Sequence, residues 1–96
     1  MKKKIKLTYL KKANKFLKKN PHITENEVDV LVINFIKSHL YGMDINIDYQ
    51  QMQGSISDTY RIRKGNIRII IKIDNGEIVI EAIIMDIGYR GDIYKK

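Results

Sequence analysis

The first twenty residues combine a strand pattern with a helical pattern. Residues 4–9 alternate apolar and polar side chains, which is the period of a half-buried strand. Apolar residues then recur at helical spacing as far as Leu17, with lysines between them, and predict an amphipathic helix with a basic outer face. We expect Thr8 to cap the start of this helix and Asn20-Pro21 to end it, because proline lacks a backbone N–H.

A second helix is predicted from its caps and its apolar spacing. Thr24 with Glu27 three residues later is the pattern of a capping box, in which each side chain bonds the other residue's backbone. Apolar residues then repeat at spacings of three and four, at Val28, Leu31, Val32, Phe35, Ile36 and Leu40. We expect Gly42 to end this helix as a left-handed C-cap. Residues 43–57 have no strong period and are expected to form a connection.

The second half of the chain has the period of strands. Three runs, at 60–64, 67–74 and 77–87, are separated by Gly65-Asn66 and Asn75-Gly76, dipeptides that close two-residue hairpins. The predicted fold is therefore α+β, in the order β-α-α-β-β-β. It has an antiparallel twisted sheet and an N-terminal helical hairpin packed on one face.

The two turns fix which side chains share a face of the sheet, because side chains alternate between faces along each strand. With a two-residue turn at Asn75-Gly76, Ile73 lies opposite Ile78. One face is then apolar and must be covered by the helices. Its members are Tyr60, Ile62, Ile67, Ile69, Ile71, Ile73, Ile78, Ile80, Ala82 and Ile84. The members of the opposite face are Arg61, Arg63, Arg68, Ile70, Lys72, Val79, Glu81 and Ile83.

Opposed arginines on this second face indicate an anion site. The turn at Gly65-Asn66 places Arg63 directly across from Arg68, and opposed like charges destabilise a sheet. Three of the chain's four Arg meet there, although Lys is the more frequent base, fourteen to four. Guanidinium is suited to bidentate binding of phosphate, which favours a nucleic-acid backbone as ligand. The alternative is a solvated face on which Glu81 partly neutralises Arg68 and Lys72.

The net charge of the chain is +7 at pH 7, and it is unevenly distributed. Residues 1–20 carry nine Lys and no acid, and residues 21–58 carry six acids and one Lys. Residues 59–96 carry eight basic and five acidic side chains. This balance favours a polyanionic partner, nucleic acid first and an acidic protein second. A solvated, Lys-rich surface is the alternative.

Length and hydropathy indicate a small soluble protein. With 96 residues there is room for one domain, expected over residues 1–96. The longest uncharged run of the helical half, Val30–Ile36, is far shorter than the ~20 residues of a membrane span. The Lys-rich N-terminus continues into mixed sequence without the apolar segment of a signal peptide. We therefore expect a cytoplasmic protein with no membrane partner.

Several chemistries are excluded or disfavoured. The chain has no Cys, which excludes disulfides and thiolate metal sites. No metal-ligand spacing, P-loop, dinucleotide fingerprint or nucleophile elbow occurs, so any catalysis is expected to use Arg, Lys and Tyr without metal or cofactor. His22 and His39 lie outside the predicted basic face and are expected to be structural or exposed. The acids Glu25, Glu27 and Asp29 are expected to serve as helix caps.

Four segments carry a resemblance to a known family: Ala13–Leu17, Met52–Gly54, Tyr60–Ile70 and Asp86–Tyr94. The most specific parts are a Tyr-Arg-x-Arg-x-Gly-x-x-Arg run and a Gly-x-Arg-x-x-x-Tyr ending. Together they resemble the RelE/ParE superfamily of bacterial and archaeal type II toxins, and the RelE branch most closely. The resemblance spans nearly the whole chain and is weakest over 22–50. It implies one RelE-like domain with the predicted order of elements.

The resemblance also implies an activity, a metal-independent endoribonuclease that enters the ribosomal A site and cuts mRNA. The 2′-OH attacks the adjacent phosphate and leaves a 2′,3′-cyclic phosphate and a 5′-OH. The matching positions place Arg61 and Arg63 on the RNA backbone and as proton acceptors. Arg68 would stabilise charge on the scissile phosphate, with Arg90 assisting there or at the leaving oxygen. Tyr94 would orient the nucleotide, stack on it or move a proton.

Other basic and aromatic residues are expected to bind RNA. They are Lys11, Lys12, Lys15, Lys64, Lys72 and Tyr89. At positions 61 and 63 the best-known members often have Lys, and Arg is a poorer base because it holds its proton. The identity of the general base therefore stays open, with Tyr89 and Tyr94 as alternatives that need help from the surrounding arginines.

The implied partners are a cognate antitoxin, the ribosome with its mRNA, and operator DNA only as a complex with the antitoxin. Two other functions stay open. One is a ParE-like inhibitor of DNA gyrase, and the other is an inactive toxin that only binds its antitoxin. The joint presence of Arg68, Arg90 and Tyr94 favours the nuclease.

Overall fold

Two helices and five strands make up the part of the chain that the structure, a computed structural model, describes, residues 3–52 and 58–91. In chain order they are β1 Lys4–Tyr9, α1 Lys11–Lys19, α2 Glu25–Tyr41, β2 Asp48–Gln51, β3 Thr59–Lys64, β4 Ile67–Asn75 and β5 Val79–Tyr89. The predicted α+β class is confirmed, and both predicted helices and the three predicted late strands are present. Within the described ranges, no helix is long and apolar enough to cross a membrane.

The five strands form one mixed sheet in the order β1-β5-β4-β3-β2. The predicted antiparallel pairing is confirmed for β3, β4 and β5, but β1 pairs in parallel with β5, so the sheet is not antiparallel throughout. The edge strand β2 pairs antiparallel with β3. A parallel pair needs a long crossover connection, and the helices lie on that path. The prediction that residues 43–57 form a connection is wrong in part, because Asp48–Gln51 form β2, which pairs with the edge of β3 that faces away from β4. This strand has four residues and three of them are polar, so it gives no clear alternation.

The register of the β3–β4 hairpin is confirmed. Lys64 pairs with Ile67, and Arg63 pairs with Arg68, across the turn at Gly65-Asn66. Gly65 has a φ of +58°, a left-handed conformation that glycine adopts without strain.

The register predicted for the β4–β5 hairpin is wrong. Ile73 pairs with Ala82 instead of Ile78, and Asn75 pairs with Ile80. The turn lies further along the chain than predicted, because the backbone N–H of Gly76 donates to the carbonyl oxygen of Val79 at 3.0 Å and so encloses Glu77 and Ile78. The predicted and observed partners of Ile73 differ by four residues, an even number, so the β5 residues before the bulge keep their predicted faces. A bulge follows, since Ile71 pairs with Ile84 and Ile70 with Asp86.

The hydrophobic core lies between the helices and one face of the sheet. The helices contribute Ala13, Val28, Val32, Phe35 and Ile36, all at most 1% exposed. The strands contribute Tyr60, Ile62, Ile69, Ile71, Ile73, Ile80, Ala82, Ile84 and Ile87. The predicted apolar face is thus largely confirmed. Ile67 is only partly buried, and Ile78 is wrongly placed, because it lies in the turn and is 75% exposed.

The ends of α2 match the prediction and the start of α1 does not. Thr24 Oγ1 accepts a hydrogen bond from the Glu27 backbone at 3.1 Å, and Glu27 Oε1 accepts one from the Thr24 backbone at 3.1 Å. Gly42 closes α2 with a φ of +65°. Thr8 is not a cap. It lies in β1, and the residue before α1 is Leu10, which has no side-chain capping bond.

Candidate nucleic-acid interface

The face of the sheet opposite the helices is called the open face here. Paired residues on neighbouring strands share a face, so two rows that cross the open face can be followed from β2 to β5. The first row is Asp48, Arg63, Arg68 and Gly88. The second row is Gln50, Arg61, Ile70 and Asp86. The three predicted arginines therefore do lie together on the open face.

Arg68 is buried at the centre of the first row. Its residue is 8% exposed, and its Nη1 donates to the carbonyl oxygens of Gly65 at 2.8 Å and Ile67 at 3.0 Å. These bonds hold the guanidinium under the β3–β4 turn and offset part of the cost of burying a charge. Within residues 3–52 and 58–91, Arg68 forms no ion pair with a carboxylate. A fixed cation of this kind is suited to stabilising a developing negative charge.

Arg63 is held by an acid that sequence reasoning did not select. Arg63 Nε donates to Asp48 Oδ2 at 2.8 Å, and Arg63 Nη2 lies 2.7 Å from the same oxygen. The two side chains are 47% and 55% exposed, so the pair contributes at most about 1 kcal/mol to stability. This contact relieves part of the repulsion between Arg63 and Arg68.

Arg61 is held by Gln50, its partner on β2, which lies on the same face as Asp48. Arg61 Nη2 donates to Gln50 Oε1 at 2.7 Å. Asp48 and Gln50 were missed because the segment that contains them was assigned to a connection. The available signal was the placement of Tyr49 between two polar residues, which is a fragment of strand alternation.

The alternative in which Glu81 partly neutralises Arg68 and Lys72 does not hold, because the register of β5 differs from the predicted one. Glu81 pairs with Asp74, in the row beyond Lys72, and accepts a hydrogen bond from Thr8 Oγ1 at 2.7 Å. In the described part of the chain Glu81 lies in no ion pair with Arg68 or Lys72. Lys72 pairs with Thr59 and Ile83 on the open face.

Tyr89 lies on the helix side of the sheet. Its hydroxyl donates to Asn20 Oδ1 at 2.8 Å and lies 3.0 Å from His22 Nε2. Its ring packs edge-on against Phe16, with 5.3 Å between centroids. The structure therefore places Tyr89 against the turn between the helices. A role in RNA binding, predicted for this residue, stays a prediction.

Arg90 is exposed directly after β5. Its backbone N–H donates to the carbonyl oxygen of Asn66 at 2.7 Å, which fixes it beside the turn that holds Arg68. The fourth arginine thus lies at the same end of the sheet as Arg63 and Arg68. Tyr94, the last predicted catalytic residue, lies outside the described residues.

The predicted RNA-binding lysines lie at two places around the open face. Lys12 on α1 is 3.7 Å from Asp86, the β5 partner of Ile70. Lys11 and Lys15 are exposed on the same helix, where they line a shallow depression. Lys64 is exposed at the end of β3, beside Arg63, where both line a cleft of about 560 Å³ against α2.

The histidines lie on the helix side, as expected. His39 stacks on Phe35 at 5.3 Å between centroids, and its Nε2 lies 3.0 Å from the Tyr60 hydroxyl. His22 contacts Tyr89 as described above. Burial, with the charge of Asp58 next, raises the pKa of Tyr60, so this hydroxyl keeps its proton at neutral pH.

Of the three acids expected to cap α2, Glu27 is confirmed as a cap, whereas the expectation is wrong for Asp29, and Glu25 is contacted at its backbone carbonyl. Glu27 completes the capping box, and Asp29 accepts a hydrogen bond from the Tyr9 hydroxyl at 2.5 Å. The same hydroxyl donates to the Glu25 carbonyl oxygen at 3.3 Å. Among the described residues, no group of three His, Cys, Asp or Glu could hold a metal ion.

Comparisons with known proteins identify the fold. No protein-family model and no curated protein matches the sequence. The crystal structure of a RelB-RelE antitoxin-toxin complex from Methanococcus jannaschii is 24% identical over 91% of this chain and 94% of that one, with a TM-score of 0.56. The archaeal RelE-RelB complex from Pyrococcus horikoshii is 22% identical over 96% and 99%, with a TM-score of 0.54. The Escherichia coli DinJ-YafQ toxin-antitoxin complex is 14% identical over 99% and 100%, with a TM-score of 0.62. The chain therefore has the RelE fold.

Proposed function

We propose that this chain is the toxin of a type II toxin–antitoxin system and that it cuts mRNA on the ribosome without a metal ion. The observation that carries the proposal is the first row of the open face on a RelE fold, in which buried Arg68 lies directly opposite Arg63. This row is called the arginine row below. Opposing two cations in a sheet costs stability, and an anionic ligand between them offsets that cost.

The proposed reaction uses the RNA itself as nucleophile. The 2′-oxygen forms a bond to phosphorus while the bond from phosphorus to the 5′-oxygen breaks. Arg68, fixed by two carbonyl groups, stabilises the negative charge that develops on the phosphate. Arg61 and Arg63 bind the backbone, and Arg90 supports the phosphate or the leaving oxygen. The products are a 2′,3′-cyclic phosphate and a 5′-OH.

The proposed partners follow from charge. The lysines of α1, at Lys11, Lys12 and Lys15, contact ribosomal RNA through its phosphates. An antitoxin with an acidic segment covers the arginine row and blocks the substrate site. The solved RelE and YafQ structures named above are complexes of a toxin with its antitoxin, which supports this partner. Operator DNA is bound only by the complex with the antitoxin.

The direct test is to add the purified protein to a cell-free translation reaction and to map mRNA 5′ ends by primer extension. Naked mRNA is treated in parallel. We expect new 5′ ends only in translated message, in frame with codons, and unchanged by addition of a chelator at a level that ribosomes tolerate. Intact mRNA in both reactions contradicts the proposal. A supercoiling assay then tests inhibition of DNA gyrase, the ParE-like alternative.

A further inference from the structure

The proposed reaction needs a group that accepts the 2′-hydroxyl proton. Arg61 and Arg63 keep their protons at any physiological pH, so they are unsuited to this step. On the helix side, the Tyr60 hydroxyl lies beside His39, and the Tyr89 hydroxyl donates to Asn20. A base is therefore better sought among the carboxylates of the open face.

Three of those carboxylates, Asp74, Glu81 and Asp86, are distant from the arginine row or contact other residues. Glu81 accepts a hydrogen bond from Thr8 and lies opposite Asp74, at the far end of β4 from Arg68. Asp86 lies in the second row and contacts Lys12. Asp48 differs from these, because it shares the first row with both Arg63 and Arg68.

The geometry of Asp48 leaves one of its oxygens available. Both contacts from Arg63, at 2.8 Å and 2.7 Å, go to the same oxygen, Oδ2. Among the described residues Oδ1 accepts no hydrogen bond, and the side chain is 55% exposed. One oxygen is thus anchored while the other is open to a ligand. Two strand spacings, roughly 10 Å, separate the backbones of Asp48 and Arg68, with Arg63 between them.

We propose that Asp48 is the general base of the cleavage reaction, an assignment that rests on the proposed function. Asp48 takes the proton from the 2′-hydroxyl as the 2′-oxygen forms its bond to phosphorus. The bond from phosphorus to the 5′-oxygen breaks, and the leaving oxygen takes a proton from water. Arg63 holds the carboxylate in place, and Arg68 binds the phosphate on the other side. Asp48 afterwards returns its proton to solvent.

The basic groups around Asp48 outnumber the acidic ones, of which Glu27 on α2 lines the same cleft. Arg63 on β3 contacts it, Arg68 on β4 follows in the same row, and Lys64 lines the adjoining cleft. The positive charge of these groups attracts the RNA phosphate to the same place. A carboxylate there also repels phosphate, so its removal is expected to leave RNA binding equal or tighter.

The experiment compares the full-length protein with Asp48→Asn, Asp48→Glu and the control Asp74→Asn. Asp74→Asn removes the same charge from the same face, at a site remote from the arginine row. Single-turnover cleavage of mRNA on programmed ribosomes gives a maximal rate and a half-saturating toxin concentration. We expect Asp48→Asn to lower the maximal rate by about 10²–10⁴-fold without raising the half-saturating concentration. Asp48→Glu recovers part of the rate, and Asp74→Asn matches the parent.

The outcomes separate the two proposals. If Asp48→Asn cleaves at the parent rate, or faster, Asp48 is not the general base. The proposed nuclease function is unaffected by that result. A faster rate would mean that Asp48 only occupies the phosphate-binding edge of Arg63. An inactive parent protein overturns the proposed function and the assignment with it. Because Asp48 is half exposed on an edge strand, Asp48→Asn should melt within about 5 °C of the parent, which thermal unfolding checks.

Discussion

Arg68 serves the fold and the candidate site at once. Its two bonds to carbonyl oxygens fix the β3–β4 turn, and the same bonds fix a cation on the open face. Sequence alternation and the Gly-Asn turn were sufficient to place it opposite Arg63. They could not show that Arg63 is paired, because Asp48 lies fifteen positions earlier in a segment without a clear period. Site residues on regular hairpins were thus predictable, and those on the irregular edge were not.

Tyr9 carries a prediction about pH. Burial, the hydrogen bond to Asp29 and the charges of Asp29 and Glu25 raise its pKa above the ordinary value of 10.0. A raised pKa in the folded state means that the unfolded chain ionises first. The contribution of protonated Tyr9 to the free energy of unfolding is therefore complete below pH 10. It is lost as the pH rises further, by no more than about 1.4 kcal/mol per pH unit.

Urea unfolding at pH 8, 10 and 11 measures this effect. The parent protein should lose unfolding free energy over that range, and Tyr9→Phe should lose less of it. Tyr41→Phe removes a partly exposed hydroxyl and serves as the control. Identical pH dependence in Tyr9→Phe and the parent would contradict the role given to Asp29 and burial.

At the scale of the elements, two turns with similar dipeptides behave differently. Gly65-Asn66 closes a two-residue hairpin, whereas Asn75-Gly76 lies before its turn, which is formed by Glu77 and Ile78. The dipeptide alone does not distinguish these cases, because Ile78 extends the apolar alternation into the turn. The residues of β5 before the bulge were still assigned to the correct faces, because the observed register differs from the predicted one by an even number of residues.

The position of this second turn can be tested at Gly76. A Cβ built on Gly76 would lie 2.8 Å from the carbonyl oxygen of Val79, which accepts the hydrogen bond that closes the turn. Gly76→Ala should therefore cost about 1–2 kcal/mol of unfolding free energy. Glu77→Ala, an exposed neighbour in the same turn, should stay within about 0.5 kcal/mol of the parent. Equal melting temperatures for the parent and Gly76→Ala would mean that the turn differs from the one described.

At the scale of the whole molecule, the charge segments of the sequence acquire positions. The lysines of residues 11–19 lie on α1, and three of the arginines, Arg61, Arg63 and Arg68, lie on the open face. The acidic middle segment supplies helix caps to α2 and, through β2, the carboxylate that contacts Arg63. The parallel pairing of β1 with β5 joins residues more than seventy positions apart. The hydrophobic periodicity of a segment does not indicate which distant strand it pairs with. The fold class, by contrast, could be predicted from the order of helical and strand periodicities along the chain.

If buried Arg68 supports RNA cleavage, its removal must slow the chemical step, and one comparison of rates measures this. Single-turnover cleavage on programmed ribosomes is measured for the parent, Arg68→Ala and Lys37→Ala. Lys37→Ala removes one exposed positive charge from α2, outside the open face. Near-ultraviolet circular dichroism confirms that Arg68→Ala is folded. The predicted result is a fall of about 10²–10³-fold in the rate for Arg68→Ala and a parent-like rate for Lys37→Ala. A folded Arg68→Ala that cuts at the parent rate would contradict this role of Arg68.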